Sequence, residues 1–548
     1  TVNAIIPETT NNPTLSSNLQ ALNLNIHQNA AFNSNGNYTL SLSGDILGSG
    51  DLILNDGNLN FVGTERLQSV ALSGEIKLNN LSVNNPNSIS LNNSSIELFG
   101  ILDLNQGNLI TNYDSSKPQT NLLTFKSNEA NTAIVAPSTF QVIGEVKIER
   151  YIPAQKRAFR YITSSVNTTT SIRDNWQEGQ NNTSNNYQNN INNNPGFGTH
   201  ITGSVNGNNG FDATLTGNPS MFSWDINTSN WVQIPNTNQT NLSAGKAYSL
   251  LIRGDRSTNI YSSNNALGNP TTLRMTGELV SGDVDVSDKI NASAGSYSLI
   301  GNPYQAQVDF KSLLKQEASN LDKNFYYAYN PNLGSRGGYV TVDLNESPVE
   351  ITPSNLNNNS NGDNYKYIQP NQAVFVKTST NATSAPTLVF KESYKDLNTL
   401  TNEVFSTTEV TSETAKISMN LHSVALNKIV DGVKFEFNSN YSSSVTDEDA
   451  LKFWNSGTTI GINNNQNYLS IDKRNYPTED ELLGFWIGNY TTGEYKFNIE
   501  VSQLNSHHAF LIDNYTGIEY QLQNNTVNQI NFEVDTNVSA STSSTRFN

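Results

Sequence analysis

Between Leu22 and Val146, apolar residues alternate with polar ones in short runs. These are YTLSLSG from Tyr38, DLILNDGNLNFVG from Asp51, GEIKLNNLSVNN from Gly74, SISLNNSSIELFG from Ser88 and ILDLNQGNLIT from Ile101. A period of two places every second side chain on one face, so each run predicts a strand of about four to six residues. Gly, Asn or Asp closes each run, which marks a turn. Comparable runs recur about every 20 residues, the length of one coil of a β-solenoid, with leucine and isoleucine stacked inward and asparagine at the turns. The same runs also suit the meander hairpins of a sandwich.

Beyond Lys147 the pattern changes to aromatic strands separated by long polar stretches: MFSWD at Met221, NWVQI at Asn230, KAYSLLIRG at Lys246, FYYAYN at Phe325 and AVFVK at Ala373. Asn206-Gly207, Asn209-Gly210 and Asn361-Gly362 predict tight β-turns. One helix is expected in DFKSLLKQEASNLDKN from Asp309, where Leu313, Leu314 and Leu321 fall near helical spacing. From Val404 onward YLSID, YKFNIEV, AFLIDNYTGIEYQL and INFEV read as strands of an antiparallel, immunoglobulin-like sandwich. The fold expected is therefore all-β: an N-terminal extension (1–21), a β-solenoid-like region (22–146), a middle β-sandwich-like domain with long loops and one helix (147–391), a linker (392–403) and a C-terminal sandwich (404–548).

Composition fits several β domains. At 548 residues the chain is too long for one hydrophobic core. Only 35% of it is hydrophobic and 14% charged, and asparagine, roughly one residue in six, fills much of the difference. Asparagine is a poor helix former and a good turn residue. Disorder is expected only in local loops such as 181–194, because strand-like runs recur between the other asparagine clusters. The formal net charge of −17 disfavours nucleic acid and anionic membranes as partners. Lys147, Arg150, Lys156, Arg157 and Arg160 form the one local basic cluster. The absence of cysteine removes disulfides, thiolate catalysis and cysteine metal sites together. No apolar run reaches the roughly 18 residues of a membrane helix, so no integral membrane segment is expected. The start at Thr1, without methionine or a charged-then-apolar leader, is what a mature exported chain looks like.

The segment ERYIPAQKRAFRYITSSV, Glu149 to Val166, reads as two strands joined at Pro153 with basic side chains facing out. It resembles a segment of Bacteroidota cell-surface proteins exported by the type IX system, in which a solenoid hands over to β-sandwich modules. LSVNNPNSISLNN followed by GILDLNQGNLIT is similar to the coil pattern of those solenoids. The Gly301-Asn302-Pro303-Tyr304 turn, the tyrosine-rich strand at Phe325, and Ile368, Pro370, Gln372, Ala373, Phe375 and Val376 follow in that family's order, with Val374 inserted. In the family these are framework markers. The resemblance implies an extracellular, cell-surface location, the type IX export machinery as a partner during secretion, and a C-terminal sorting domain absent after Arg546-Phe547.

Candidate chemistry is sparse. The five histidines, His27, His200, His422, His507 and His508, show no metal-binding spacing, and adjacent His507 and His508 would point to opposite faces of a strand. Asp283, Asp285 and Asp288, and likewise Asp447, Glu448 and Asp449, could offer oxygens to calcium, although neither set has EF-hand spacing. No other cofactor is expected. Arg253-Gly254-Asp255 matches an integrin tripeptide, a short pattern that arises readily by chance. Trp176, Trp224, Trp231, Tyr326, Tyr327 and Tyr329 suit either a sandwich core or stacking on surface glycans. Ala4-Ile5-Ile6 could act as a donated strand in self-association. These readings favour a non-enzymatic, extracellular structural or adhesive protein, self-assembling into a filament or sheath. A monomeric glycan-binding adhesin and a secreted hydrolase are the alternatives.

Overall fold

The computed structural model describes residues 2–113, 121–184, 192, 194–263, 266–354, 365–397, 414–504 and 506–548. The asparagine-rich loop 181–194, the Asn361-Gly362 turn and the linker after residue 397 fall wholly or partly outside these. The chain is nearly all β, and its N-terminal part winds through about six turns of a solenoid. One face stacks Ala4–Ile6, Leu24–Ile26, Ile46–Gly48, Gln68–Leu72, Ile89–Leu91, Leu109–Ile110 and Val142–Ile143, all parallel. Two further faces share a second sheet, in which Asp51–Phe61 and Ile76–Asn84 each run along both faces through a corner. Leu24 lies opposite Ile46, Ile46 opposite Val70 and Val70 opposite Leu91, so most coils take about 20 to 24 residues. These four side chains, with Leu52, Leu59, Leu78 and Leu81, are fully buried.

Asparagine lines the corners as ladders. Asn58 Nδ2 donates to Asn37 Oδ1 and Asn80 Nδ2 to Asn58 Oδ1, both at 2.8 Å, and Asn80 Oδ1 accepts from the Ile101 amide at 2.7 Å. Each amide thereby satisfies the next coil's polar groups where the chain bends. The coil begins earlier than the alternation suggests. Ala4–Ile6, Thr14–Leu15 and Leu19–Ala21 already pair with the coil above, so much of the expected 1–21 extension belongs to the solenoid. Strands of two or three residues are too short to show a period.

Glu145–Ile152 ends the parallel stack. It lies parallel to Leu123–Phe125 on one side and antiparallel to Thr271–Leu279 on the other. The solenoid core therefore continues into the middle region through Ile148, Ile252 and Met275. Past Pro153, Ala158–Ile162 joins a separate sheet with Tyr248–Ile252, Met221–Asp225 and Asn230–Gln233. The basic side chains between them do not face out as expected. Lys147, Arg150, Lys156, Arg157 and Arg160 are all half-buried, and burial pushes both Arg150 and Arg160 down to about 10.

A five-stranded sheet follows: Tyr297–Gly301, Ala373–Lys377, Phe325–Asn330, Gly338–Asp343 and Glu350–Thr352. Asn302, in the turn after Tyr297–Gly301, is fully buried and donates to the Ala306 and Gln369 carbonyls, which makes it a framework residue. The expected helix forms at Phe310–Glu317, capped where the Asp309 side chain accepts from the Ser312 amide. It stops short of Leu321, which bridges to Thr378 instead. A second, short helix at Ile172–Trp176 carries a capping box between Ser171 and Asp174. Lys395–Asp396 pairs with Gln307–Asp309, so the described start of the expected linker is part of the middle region.

The C-terminal region is a sandwich-like domain built on an eight-stranded sheet, ordered Gly484–Gly488, Thr459–Asn464, Asn467–Arg474, Lys428–Phe437, Ala415–Ser423, Gly493–Ser502 and Thr526–Val534, with Ala450–Leu451 paired to Asn467–Arg474. Lys428–Phe437 and Asn467–Arg474 run parallel, unlike the other pairs of this sheet. The hairpin Ala509–Asp513/Ile518–Leu522 and Phe547 complete its core. No helix among the described residues is long and apolar enough to cross a membrane.

Candidate functional site

An aromatic cleft lies where the two middle sheets meet the C-terminal domain. Register builds its floor: Tyr161 and Phe222 both lie opposite Ser249, and Trp224 lies opposite Trp231, which collects these side chains on one sheet face. On the second sheet Tyr329 lies opposite Tyr339. Trp454, Asn455 and Ser456 of the C-terminal domain close the third side. The cleft encloses about 390 Å3, within the range of small-ligand sites.

Its rings are held tightly. Tyr161 packs 4.6 Å from Tyr329 and 5.3 Å from Trp231, and its hydroxyl lies 2.5 Å from that of Tyr339. Phe375 supports Trp224 from 4.9 Å, edge to face. Burial, helped by Tyr339, pushes the Tyr161 hydroxyl far up, and burial raises Tyr339 to about 12, so both remain neutral at any physiological pH. Trp454 stays exposed, propped by Trp486 at 4.8 Å. Asn455 Oδ1 accepts from the Tyr339 amide at 2.7 Å, whereas among the described residues its Nδ2 has no partner although the residue is only 7% exposed. A buried amide donor without an acceptor is costly, and a ligand oxygen in the cleft would satisfy it. The lining side chains include no carboxylate, lysine or histidine. The cleft can stack against flat apolar surfaces and donate hydrogen bonds.

Of the aromatics singled out in the sequence, Trp176, Tyr326 and Tyr327 are fully buried, Trp231 and Tyr329 are half-buried in the lining of the cleft, and half-buried Trp224 packs against Trp231 at 5.2 Å outside that lining. Tyr161, Tyr339 and Trp454 were not singled out. Tyr161 and Tyr339 belong to different sheets and Trp454 to a loop of the C-terminal domain, and only the fold brings them together.

Asp283, Asp285 and Asp288 do not converge. Asp285 accepts from the Ser287 amide at 2.9 Å, Asp288 meets Lys289 at 3.3 Å, and all three are exposed. Asp447 instead accepts from Asn381 Nδ2 at 2.8 Å and Asp449 from the Lys473 amide at 2.7 Å. Ala4–Ile6 is occupied as the first strand of its own solenoid face. The Asp255 side chain is only 3% exposed and accepts from the Gly196 amide, so the Arg-Gly-Asp tripeptide is not displayed.

One carboxylate cluster is compact. Among the described residues Asp343, Glu346 and Glu436 bring oxygens within 4.8 Å of one another. Lysines already fill the space between them: Lys473 lies 2.8 Å from Asp343 and 3.2 Å from Glu436, and Lys434 also pairs with Glu436. A larger concavity of about 540 Å3 on the C-terminal domain is lined by residues of mixed charge, including Lys428, Glu494, Lys496 and Glu533. His422 at its edge is pushed down to about 4 by burial and by Lys496, so it is neutral. No family model matches the chain, and neither a curated protein nor a solved structure matches it.

Proposed function

We propose that this is a non-enzymatic, extracellular adhesive protein that binds saccharide in the aromatic cleft. The observation that carries the reading is the pairing of half-buried rings, Trp231 and Tyr329, and an exposed one, Trp454, with the unsatisfied Asn455 amide at the same cleft. Pyranose rings present an apolar C–H face and a hydroxyl rim, and such a surface meets both needs at once. A lining without carboxylate or histidine favours binding over hydrolysis, since glycosidic cleavage needs paired carboxylates. The solenoid, fused through a continuous core to the middle region, suits a stiff support that holds the cleft away from a surface. The resemblance to type IX-exported surface proteins supports the extracellular placing.

The test is a glycan array probed with the full chain and with Trp231→Ala, both checked for an unchanged melting profile. Retained saccharide binding by the parent and a loss of about tenfold in the variant are expected, the equivalent of about 1.4 kcal/mol. Binding of no saccharide by the parent chain overturns the reading.

A further inference from the structure

Two arginines, Arg336 and Arg157, adjoin the edge of the cleft in a chain whose net charge is −17. Arg336 adjoins the lining residue Gly337. Its carbonyl accepts from the Phe159 amide at 3.1 Å and from the Tyr329 hydroxyl at 3.3 Å, and both donors belong to lining residues. Arg157 stands two residues ahead of Phe159. The Phe159–Arg336 hydrogen bond sets both arginines at the same edge of the cleft, and burial, with Arg336 adding to it, lowers the affinity of the Arg157 guanidinium for a proton. Among the described residues neither arginine forms an ion pair with a carboxylate. Arg157 Nε is also buried, with no hydrogen-bond partner among the described residues. Like charges gathered and left unneutralised on an acidic protein raise the local potential and favour an anion.

We propose that the cleft takes a carboxylated saccharide, a chain of uronic acid residues, with sugar faces on Trp231 and Trp454 and a carboxylate against Arg336 and Arg157. This rests on the saccharide reading above. A planar carboxylate suits the fork of a guanidinium, which can engage both of its oxygens. Asn455 Nδ2 supplies a neutral donor for a ring hydroxyl. A densely sulfated polymer is disfavoured, because the remainder of the acidic surface repels high linear charge.

The experiment titrates the full chain with oligomers of galacturonic, glucuronic, mannuronic and guluronic acid. The methyl esters of the same oligomers, neutral galactan and glucan, and a sulfated galactan serve as comparisons. At least one acid oligomer should bind tenfold or more tightly than its own ester at low salt. Arg336→Gln, a change at an exposed position, should remove most of that difference, and raising the salt concentration should shrink it. Asn455→Asp keeps the acceptor for the Tyr339 amide while adding a negative charge, and should weaken the acid oligomer more than the ester. Equal binding of acid and ester, or preference for the sulfated chain, overturns the carboxylate assignment and leaves saccharide binding in place. Binding of neutral glycans alone does the same. Failure of every saccharide, acidic or neutral, overturns the reading beneath it.

Discussion

Lys473 of the C-terminal domain reaches Asp343 of the middle region at 2.8 Å, and both side chains are almost entirely buried. Around this pair Lys416 and Lys434 from the C-terminal domain meet Glu346 and Glu350 from the middle region, with Glu436 at the centre. Buried charges contribute only when each is matched, and removing one partner leaves the others without compensation. The network therefore fixes the angle between two domains that together form the aromatic cleft.

Lys473→Met should destabilise this junction by about 3–5 kcal/mol, because Asp343 and Glu436 lose a shared cation. Differential scanning calorimetry is the measurement. The C-terminal domain should melt earlier in the variant, with the solenoid transition unmoved. An unchanged profile would show that the pairing contributes nothing to the junction.

The same network sets an acid limit. Burial by itself would raise Glu436, but Lys434, Lys473 and Lys416 outweigh it and hold the carboxyl down to about 2, from an ordinary value of 4.5. Glu350 is lowered for the same reason, with burial opposing and Lys434 and Lys416 prevailing. Folded values below unfolded ones mean that the stabilisation is complete above pH about 4.5 and is lost as pH falls toward 2. Melting temperature measured from pH 6 to pH 2 should thus decline steeply only below about 4.5. Glu436→Gln should flatten that decline while lowering stability at pH 6.

The solenoid was legible in the sequence because its core side chains repeat. Leu52, Leu54, Leu59 and Phe61 sit at strict alternation on either side of one corner, and asparagine marks the bends. Its first coil was not, since Ala4–Ile6 and Leu19–Ala21 are too short to carry a period. The cleft was half legible. Trp224, Trp231 and Tyr329 stood out as aromatics in strands, but alternation cannot distinguish a ring facing a core from one facing a groove. Tyr161 meets Tyr339 across 178 residues of sequence, and Trp454 arrives from another domain, so no local pattern announces either. Nor did the basic run at Lys147–Arg160 show that its side chains would be half-buried, because strand pairing on both sides decides that.

Asn58→Ala should test the corner ladder. The substitution removes the bond to Asn37 and the acceptor for Asn80, two amide pairs at about 0.5–1.5 kcal/mol each before relaxation. A loss of about 1–2 kcal/mol should appear as faster hydrogen exchange in Asp51–Phe61 and Ile76–Asn84, with the C-terminal sheet unaffected. Unaltered exchange in those strands would mean that water replaces the ladder at no cost.

Trp454→Ala separates a cleft shared between domains from one confined to the middle region. Trp454 is 39% exposed, so truncation removes little core, and its contacts with Trp486 and Tyr468 lie on the C-terminal side. If saccharide bridges both domains, the variant should lose about tenfold in affinity with an unchanged melting temperature. A ligand seated only on Trp231 and Tyr329 would bind the variant as it binds the parent. The junction mutant Lys473→Met supplies the complementary measurement, since loosening the domains should weaken binding only where both walls are in contact. Loss in both variants, with Trp231→Ala also impaired, makes the interdomain ion network a determinant of recognition as well as of stability. Loss in Trp231→Ala alone confines recognition to the middle region.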